Sequence, residues 1–160
     1  MRMTYKQETR FSCGASAIRN CIEALNGIVP SEKYVRRIAG TTIQGTSEAG
    51  IMKALRKLDY YYEDFYTENP NTFKNKLLKV LKSGKVAITI IDSSSHWVAV
   101  TGYSNKKIIF VDSDFKKAEQ HFTVKEFTMI TRNIDKIKKK EYWYLIIMSN
   151  LTDEVVKVIQ

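Results

Sequence analysis

At 160 residues, with 44% hydrophobic content, seven glycines and only two prolines, the chain is long enough for one domain with its own core and too short for two of ordinary size. The sequence has no repeat, no low-complexity tract, no apolar run of bilayer length and no apolar signal core in residues 1–7, so a cytoplasmic protein without a membrane span is expected. The net charge of +9 is spread over several segments and is dense only in residues 132–140; this reads as a solvated basic surface that could meet an acidic partner surface, with nucleic acid a disfavoured partner.

From the N-terminus, Ala17, Ile18, Cys21, Ile22 and Leu25 recur at helical spacing, opposite Arg19, Asn20 and Glu23. Ser12 is placed to cap this helix, which puts Cys13 in its first turn. Asn26-Gly27 ends it, and Pro30-Ser31 starts a second helix that Gly40 closes after Ala39. Residues 41–45 form a loop, and Thr46-Ser47 caps a third helix with Ile51, Ala54, Leu55 and Leu58 on one face. Residues 60–66 read as an aromatic strand, and Asn69-Pro70-Asn71 opens a fourth helix, built on Phe73, Leu77, Leu78, Val80 and Leu81 and ending at Gly84.

The period then changes. Residues 85–91, 96–103 and 107–112 read as strands, the last two joined by a hairpin turn at Ser104-Asn105. Residues 114–120 are polar, 123–131 suggest a short helix, 141–148 a strong strand, and 154–159 an edge strand or a short helix. Helices followed by an antiparallel sheet predict an α+β fold, with a helical N-terminal half packed on a C-terminal sheet.

Cys13 is the candidate nucleophile, because unpaired N–H groups and the helix dipole at an N-terminus favour a thiolate. Gln7, six residues earlier, can donate to an oxyanion beside the Cys13 N–H. His96, where a serine run becomes a strand, is the candidate base and acid, and Asp112, at the end of the next strand, is the candidate orienting group. Whether His96 and Asp112 share a face depends on the parity of the hairpin register, and Asp114 and Asp92 compete with Asp112 for the role. Gln44 is a secondary amide donor, whereas Cys21 and Trp97 are assigned to packing and His121 to the exposed surface. On a continuous helix Cys13 and Cys21 are separated by about 12 Å of rise, too far for a disulfide. Two cysteines and two histidines without ligand-like spacing predict no metal site, and the chemistry requires no cofactor.

Gln7 six residues before Cys13-Gly14, then His96-Trp97-Val98-Ala99-Val100, then Ile109-Phe110-Val111-Asp112 sixteen residues after the histidine, with the segment from Gln44 to Ile51, resemble the C39-type peptidases. This papain-like cysteine peptidase family includes enzymes that cut bacteriocin precursors after a double-glycine leader. The resemblance covers residues 7–114. It implies a papain-like cleft between helices and sheet in a single domain spanning 1–160, with Cys13 as nucleophile, His96 as base and acid, Asp112 orienting the imidazole and Gln7 as the oxyanion donor. Ser12 stands where the family usually has an acid, and Ser113 where a proline is common. The family's processing members usually precede a transporter, so a separate transporter or partner protein is expected here, with a peptide or protein substrate. A papain-like amidase or glutamine deamidase acting on a partner protein, and a non-catalytic module binding peptide or nucleic acid, are the alternatives.

Overall fold

The computed structural model describes residues 3–92, 96–115 and 117–152. Its elements are α1 (Cys13–Ala24), α2 (Glu32–Ala39), α3 (Glu48–Lys57), β1 (Tyr60–Thr67), α4 (Pro70–Lys82), β2 (Val86–Ile91), β3 (His96–Ser104), β4 (Lys107–Val111), β5 (Glu119–Thr123), α5 (Val124–Ile130), β6 (Asn133–Asp135) and β7 (Lys140–Asn150). The seven strands form an antiparallel sheet ordered β1-β7-β2-β3-β4-β5, with β6 pairing to β7 beyond the main path. The class is α+β, as expected.

Helices cover both faces of the sheet. On one face α1, α2 and α3 build a core from Ile18, Cys21, Ile22, Val35, Ile51 and Leu55 against Ile88, Ala99, Ile146 and Met148. On the other, α4 and α5 bring Phe73, Leu77 and Phe127 against Val98, Val100, Phe110 and Leu145. The helical layer is therefore not confined to the N-terminal half. The uniform burial of Val86–Ile91 has this cause, since β2 is covered on both sides. Each fully buried Ile, Leu or Phe contributes roughly 1.5–3 kcal/mol of transfer free energy.

Capping sets the helix boundaries. The side chains of Ser31, Ser47 and Asn69 accept from N–H groups in the first turns of α2, α3 and α4, and Thr123 and Glu126 form a reciprocal capping box on α5. Ser12 departs from expectation. Its hydroxyl caps nothing in α1 but donates to the Thr9 carbonyl and accepts from the Thr9 N–H, which tightens the loop entering the helix. Asn20 departs too: it is buried, accepting from Tyr5 N–H at 2.8 Å and donating to the Tyr5 carbonyl at 2.9 Å, so α1 carries a polar clip on the side expected to face solvent.

Two short strands lie where the sequence shows little apolar alternation. β5 is a polar edge strand within the stretch expected to be loop, and β6 has only three residues. The β3–β4 turn is Asn105-Lys106, one residue later than expected, and both residues have positive φ, 54° and 61°. This suits a two-residue primed hairpin turn. The expectation for residues 154–159 falls outside the described residues.

Candidate active site

A single extra residue in β3 brings His96 and Asp112 to the same face of the sheet. From the hairpin turn, Ser104 pairs with Lys107, Tyr103 with Ile108 and Gly102 with Ile109. Continued unbroken, that register would place Asp112 opposite Ala99, on the face of Trp97 and away from His96. A β-bulge leaves Thr101 unpaired, so that Val100 meets Phe110 and Ala99 meets Val111. Asp112 then falls opposite Val98, diagonal to His96 and on its face.

His96 opens β3 and accordingly reaches Asp112, with Nε2 and Oδ1 2.6 Å apart. Asp112 is 2% exposed, its backbone N–H donates to the Ala118 carbonyl, and Asp114 N–H donates to its Oδ1 at 3.1 Å. Asp114 thus contacts the carboxylate through its backbone, and Asp112 alone of the two brings its side chain to the imidazole. With Nε2 engaged, Nδ1 is the ring nitrogen left for the sulfur.

Cys13 begins α1 and is buried at 7% exposure. Burial pushes its thiol up, but hydrogen bonds from the His96 side chain and the Trp97 N–H, the His96 charge and the Gly14 N–H outweigh it and hold the thiol below its ordinary 9.0. Conversely, the hydrogen bond to Asp112 and then that to Cys13 raise His96 to about 10, against the opposing effect of burial. Each partner favours the charged form of the other, an influence toward a thiolate on Cys13 and an imidazolium on His96. As the first residue of α1, Cys13 also presents an N–H with no acceptor within the helix.

Close packing around the sulfur requires Gly14. A Cβ there would stand 2.9 Å from both Cβ and Oγ1 of Thr46. Thr46 in turn accepts the Trp97 indole N–H on its carbonyl at 2.9 Å, which locks the loop before α3 to β3. Trp97 therefore packs as expected, but its backbone N–H also faces the sulfur. Periodicity carries no sign of that second role.

Gln7 is held from both sides. Its Oε1 accepts from the Ser113 hydroxyl at 2.9 Å, its backbone N–H donates to the Ser113 carbonyl at 3.2 Å, and Nε2 donates to the Thr9 carbonyl at 2.9 Å. One amide hydrogen is thus engaged and a second remains. The next residue is fixed by Glu32, a buried carboxylate accepting from Glu8 N–H at 3.0 and 3.2 Å and from the Ser16 hydroxyl at 2.9 Å. Ser113 was visible in the sequence as a departure from the family pattern, whereas Glu32 carried no signal.

The other candidates lie apart from this cluster. Gln44 is exposed in a tight turn closed by the Thr42–Gly45 bridge. His121 is exposed and pairs with Glu119 at 2.9 Å. Cys21 is fully buried and donates to the Ala87 carbonyl at 3.5 Å. Among the described residues no group of three or more acidic, histidine or cysteine side chains could hold a metal, and no helix is long and apolar enough to cross a membrane.

The sequence pattern of the Peptidase C39 family matches residues 2–130. The peptidase domain of Streptococcus ComA, a bifunctional ABC transporter involved in quorum sensing, superposes with a TM-score of 0.68 at 17% identity, over 91% of this chain and 96% of that one. A double-glycine-motif protease from an AMS/PCAT transporter, solved with its leader peptide, gives 0.64 at 17% identity over 91% of each chain. A C39-like peptidase from Bacillus anthracis gives 0.63 at 10% identity, over 89% of this chain and 93% of that one. None of the curated proteins matches the chain.

Proposed function

The chain belongs to the peptidase C39 family, cysteine peptidases that hydrolyse peptide bonds, and from that premise we propose that Cys13, His96 and Asp112 are its catalytic residues and that it cuts after a pair of small residues such as Gly-Gly. The observation that carries the reading is the chain of contacts from Asp112 through the His96 ring to the Cys13 sulfur.

The Cys13 thiolate attacks the scissile carbonyl, and the electron pair of the carbonyl moves onto oxygen. The Cys13 N–H and the free hydrogen of the Gln7 amide stabilise that oxyanion, at roughly 3 kcal/mol per donor in sites of this type. His96, already protonated, gives its proton to the leaving amine as the tetrahedral intermediate collapses to a thioester. Water then attacks the thioester, with His96 taking its proton, and the acid product leaves as the thiolate is restored. Asp112 keeps the ring oriented and the imidazolium charge compensated throughout. A single domain carries all of these groups. The substrate is a peptide or protein.

Two neighbours act in transporters and one was solved with a leader peptide, which supports a double-glycine substrate here. The test is a synthetic peptide with one internal Gly-Gly pair, followed by mass spectrometry. Cleavage after the second glycine by the wild type, absent in Cys13→Ala, is the expected result. Cleavage that survives Cys13→Ala would overturn the assignment, and release of ammonia from glutamine side chains without backbone cleavage would favour the deamidase alternative.

A further inference from the structure

Among the described residues two carboxylates are buried, Asp112 and Glu32, at 2% and 1% exposure. Removing a carboxylate from water is costly unless it is paired and hydrogen-bonded. Asp112 meets that condition through the His96 ring and the Asp114 N–H. Glu32 stands in the first turn of α2, where the helix dipole favours an anion, and Arg36 lies one turn on, with its Nε 3.6 Å from Oε2. Its other partners belong to the neighbourhood of Cys13. Oε1 accepts from the Glu8 N–H at 3.0 Å and from the Ser16 hydroxyl at 2.9 Å, and Oε2 is 3.2 Å from the same Glu8 nitrogen.

A single carboxylate oxygen therefore joins the residue after Gln7 to α1. Ser16 is three residues beyond Cys13, on the same side of the helix. From the other direction, Ser113 ties Gln7 to the segment after β4: its carbonyl accepts the Gln7 N–H at 3.2 Å and its hydroxyl donates to Oε1 at 2.9 Å. The loop carrying Gln7 is thus strung between the helical layer and the sheet. Asn20 holds the same arm farther back, at Tyr5, but Glu32 is the contact beside Gln7. Ser12, directly before Cys13, is not the acid usual in the family, and the buried carboxylate at this loop comes from α2.

We propose that Glu32 is a positioning residue for the oxyanion site, holding the Gln7 amide and the Cys13 N–H at the separation from which both donate to one oxygen. Donors of this kind act because their geometry is fixed before charge develops, so a loop that drifts from α1 loses rate without losing the nucleophile. This role rests on Cys13 as the nucleophile and Gln7 as an oxyanion donor. It gives α2, which touches no reacting atom, a part in the chemical step.

Two reactions of the same sulfur separate this role from a general support of α1. Iodoacetamide loses iodide from a saturated carbon, so alkylation of Cys13 develops no oxyanion. Acetyl-Gly-Gly p-nitrophenyl ester is attacked at its carbonyl, passes through an oxyanion and releases nitrophenolate as the thioester forms. Both rates are measured on the wild type, Glu32→Leu, Glu32→Gln, Gln7→Ala, Gln7→Ala/Glu32→Leu and Cys13→Ala. Glu32→Leu fills the same space and accepts nothing; it should acylate about tenfold more slowly and alkylate within about twofold of the wild type. Glu32→Gln keeps an acceptor oxygen for Glu8 and Ser16 and should bring acylation back to within about threefold. In Gln7→Ala, itself slowed about tenfold or more, adding Glu32→Leu should cost no more than about twofold, because the two act as one unit. Where Glu32→Leu does not fold, Glu32→Asp, whose carboxylate ends one methylene short, takes its place. A nitrophenolate burst that survives Cys13→Ala, or is unchanged in Gln7→Ala, overturns the underlying assignment and the role of Glu32 with it. With those two controls as expected, acylation unchanged in Glu32→Leu, alkylation that slows in step with it, or a full additional loss in the Gln7→Ala background overturns the role of Glu32 alone.

Discussion

Replacing Asp112 with Asn keeps the shape of the contact to His96 and removes its charge. The hydrogen bond to Asp112 is the largest influence that raises His96 from 6.5 to about 10, ahead of the hydrogen bond to Cys13. The whole displacement corresponds to roughly 5 kcal/mol at about 1.36 kcal/mol per pH unit, and Asp112 accounts for the larger share. Because the Asp112 carboxylate is 2% exposed and the His96 side chain 14% exposed, little of that interaction is screened by solvent. In Asp112→Asn the imidazole should therefore titrate most of the way back toward 6.5, and turnover should fall by about two to four orders of magnitude as the ring loses its orientation and its proton. An NMR titration of the His96 ring, read beside kcat on a cleaved peptide, checks both outcomes. A ring that titrates at the same pH in wild type and variant would refute the argument, because the Asp112 charge would then not be what holds the proton.

Four further outcomes follow from the same contacts. Gly14→Ala drives a methyl group into Thr46, which should cost about 1–3 kcal/mol of stability and slow Cys13 alkylation; calorimetry and labelling measure the two. Ser113→Ala removes the hydroxyl that holds Oε1 of the Gln7 amide, leaving only the Nε2 contact to Thr9 to orient that side chain, and should lower kcat about tenfold with little change in KM, a pattern that a general loss of folding would not produce. Lys106→Gly relieves a positive φ of 61° in the β3–β4 turn and should stabilise the protein by about 1 kcal/mol in urea titration, leaving activity unchanged. The fourth concerns pH. The folded protein holds the His96 proton to about 10 and the unfolded chain only to about 6.5, so the stability from this contact is fully present below pH 6.5 and is lost as pH rises toward 10. Cys13 opposes this, since its lowered folded value makes stability rise until the unfolded thiol ionises near 9.0. Denaturation at a series of pH values in wild type and Cys13→Ser should show a steeper alkaline decline in the variant.

The helices and central strands were legible because their apolar positions recur with clear periods and their starts carry Ser31, Ser47 and Asn69 as caps. β5 was not, since Glu119-Gln-His-Phe-Thr123 lies at a sheet edge and has only Phe122 to pack inward. The covering of both sheet faces was hinted at only by the unbroken apolar run of β2. Asn20 was misread for a different reason. Helical periodicity places it on the polar side, but the N-terminal arm folds over that side and takes both ends of its amide.

At the site, residue identities were more legible than their geometry. Cys13, His96, Asp112 and Gln7 stood out by type and spacing, but the adjacency of His96 and Asp112 turns on the bulge at Thr101, and neither Thr101 nor Gly102 signals one unambiguously. A turn at Asn105-Lys106 with no bulge would have put the two side chains on opposite faces. The anchoring of Gln7 by Ser113 depends on a contact across 106 positions of sequence, which no local pattern encodes.

The central claim is that Cys13 rests as a thiolate paired with protonated His96. The most direct measurement is the rate of iodoacetamide labelling, followed by intact mass from pH 5 to 9, in wild type, His96→Ala and Cys13→Ala. The pairing predicts one rapid adduct on the wild type at pH 6, at least tenfold slower labelling without His96, and no adduct without Cys13, because burial keeps the Cys21 thiol protonated. Labelling at pH 6 no faster than that of a free thiol, or unchanged by His96→Ala, would contradict it.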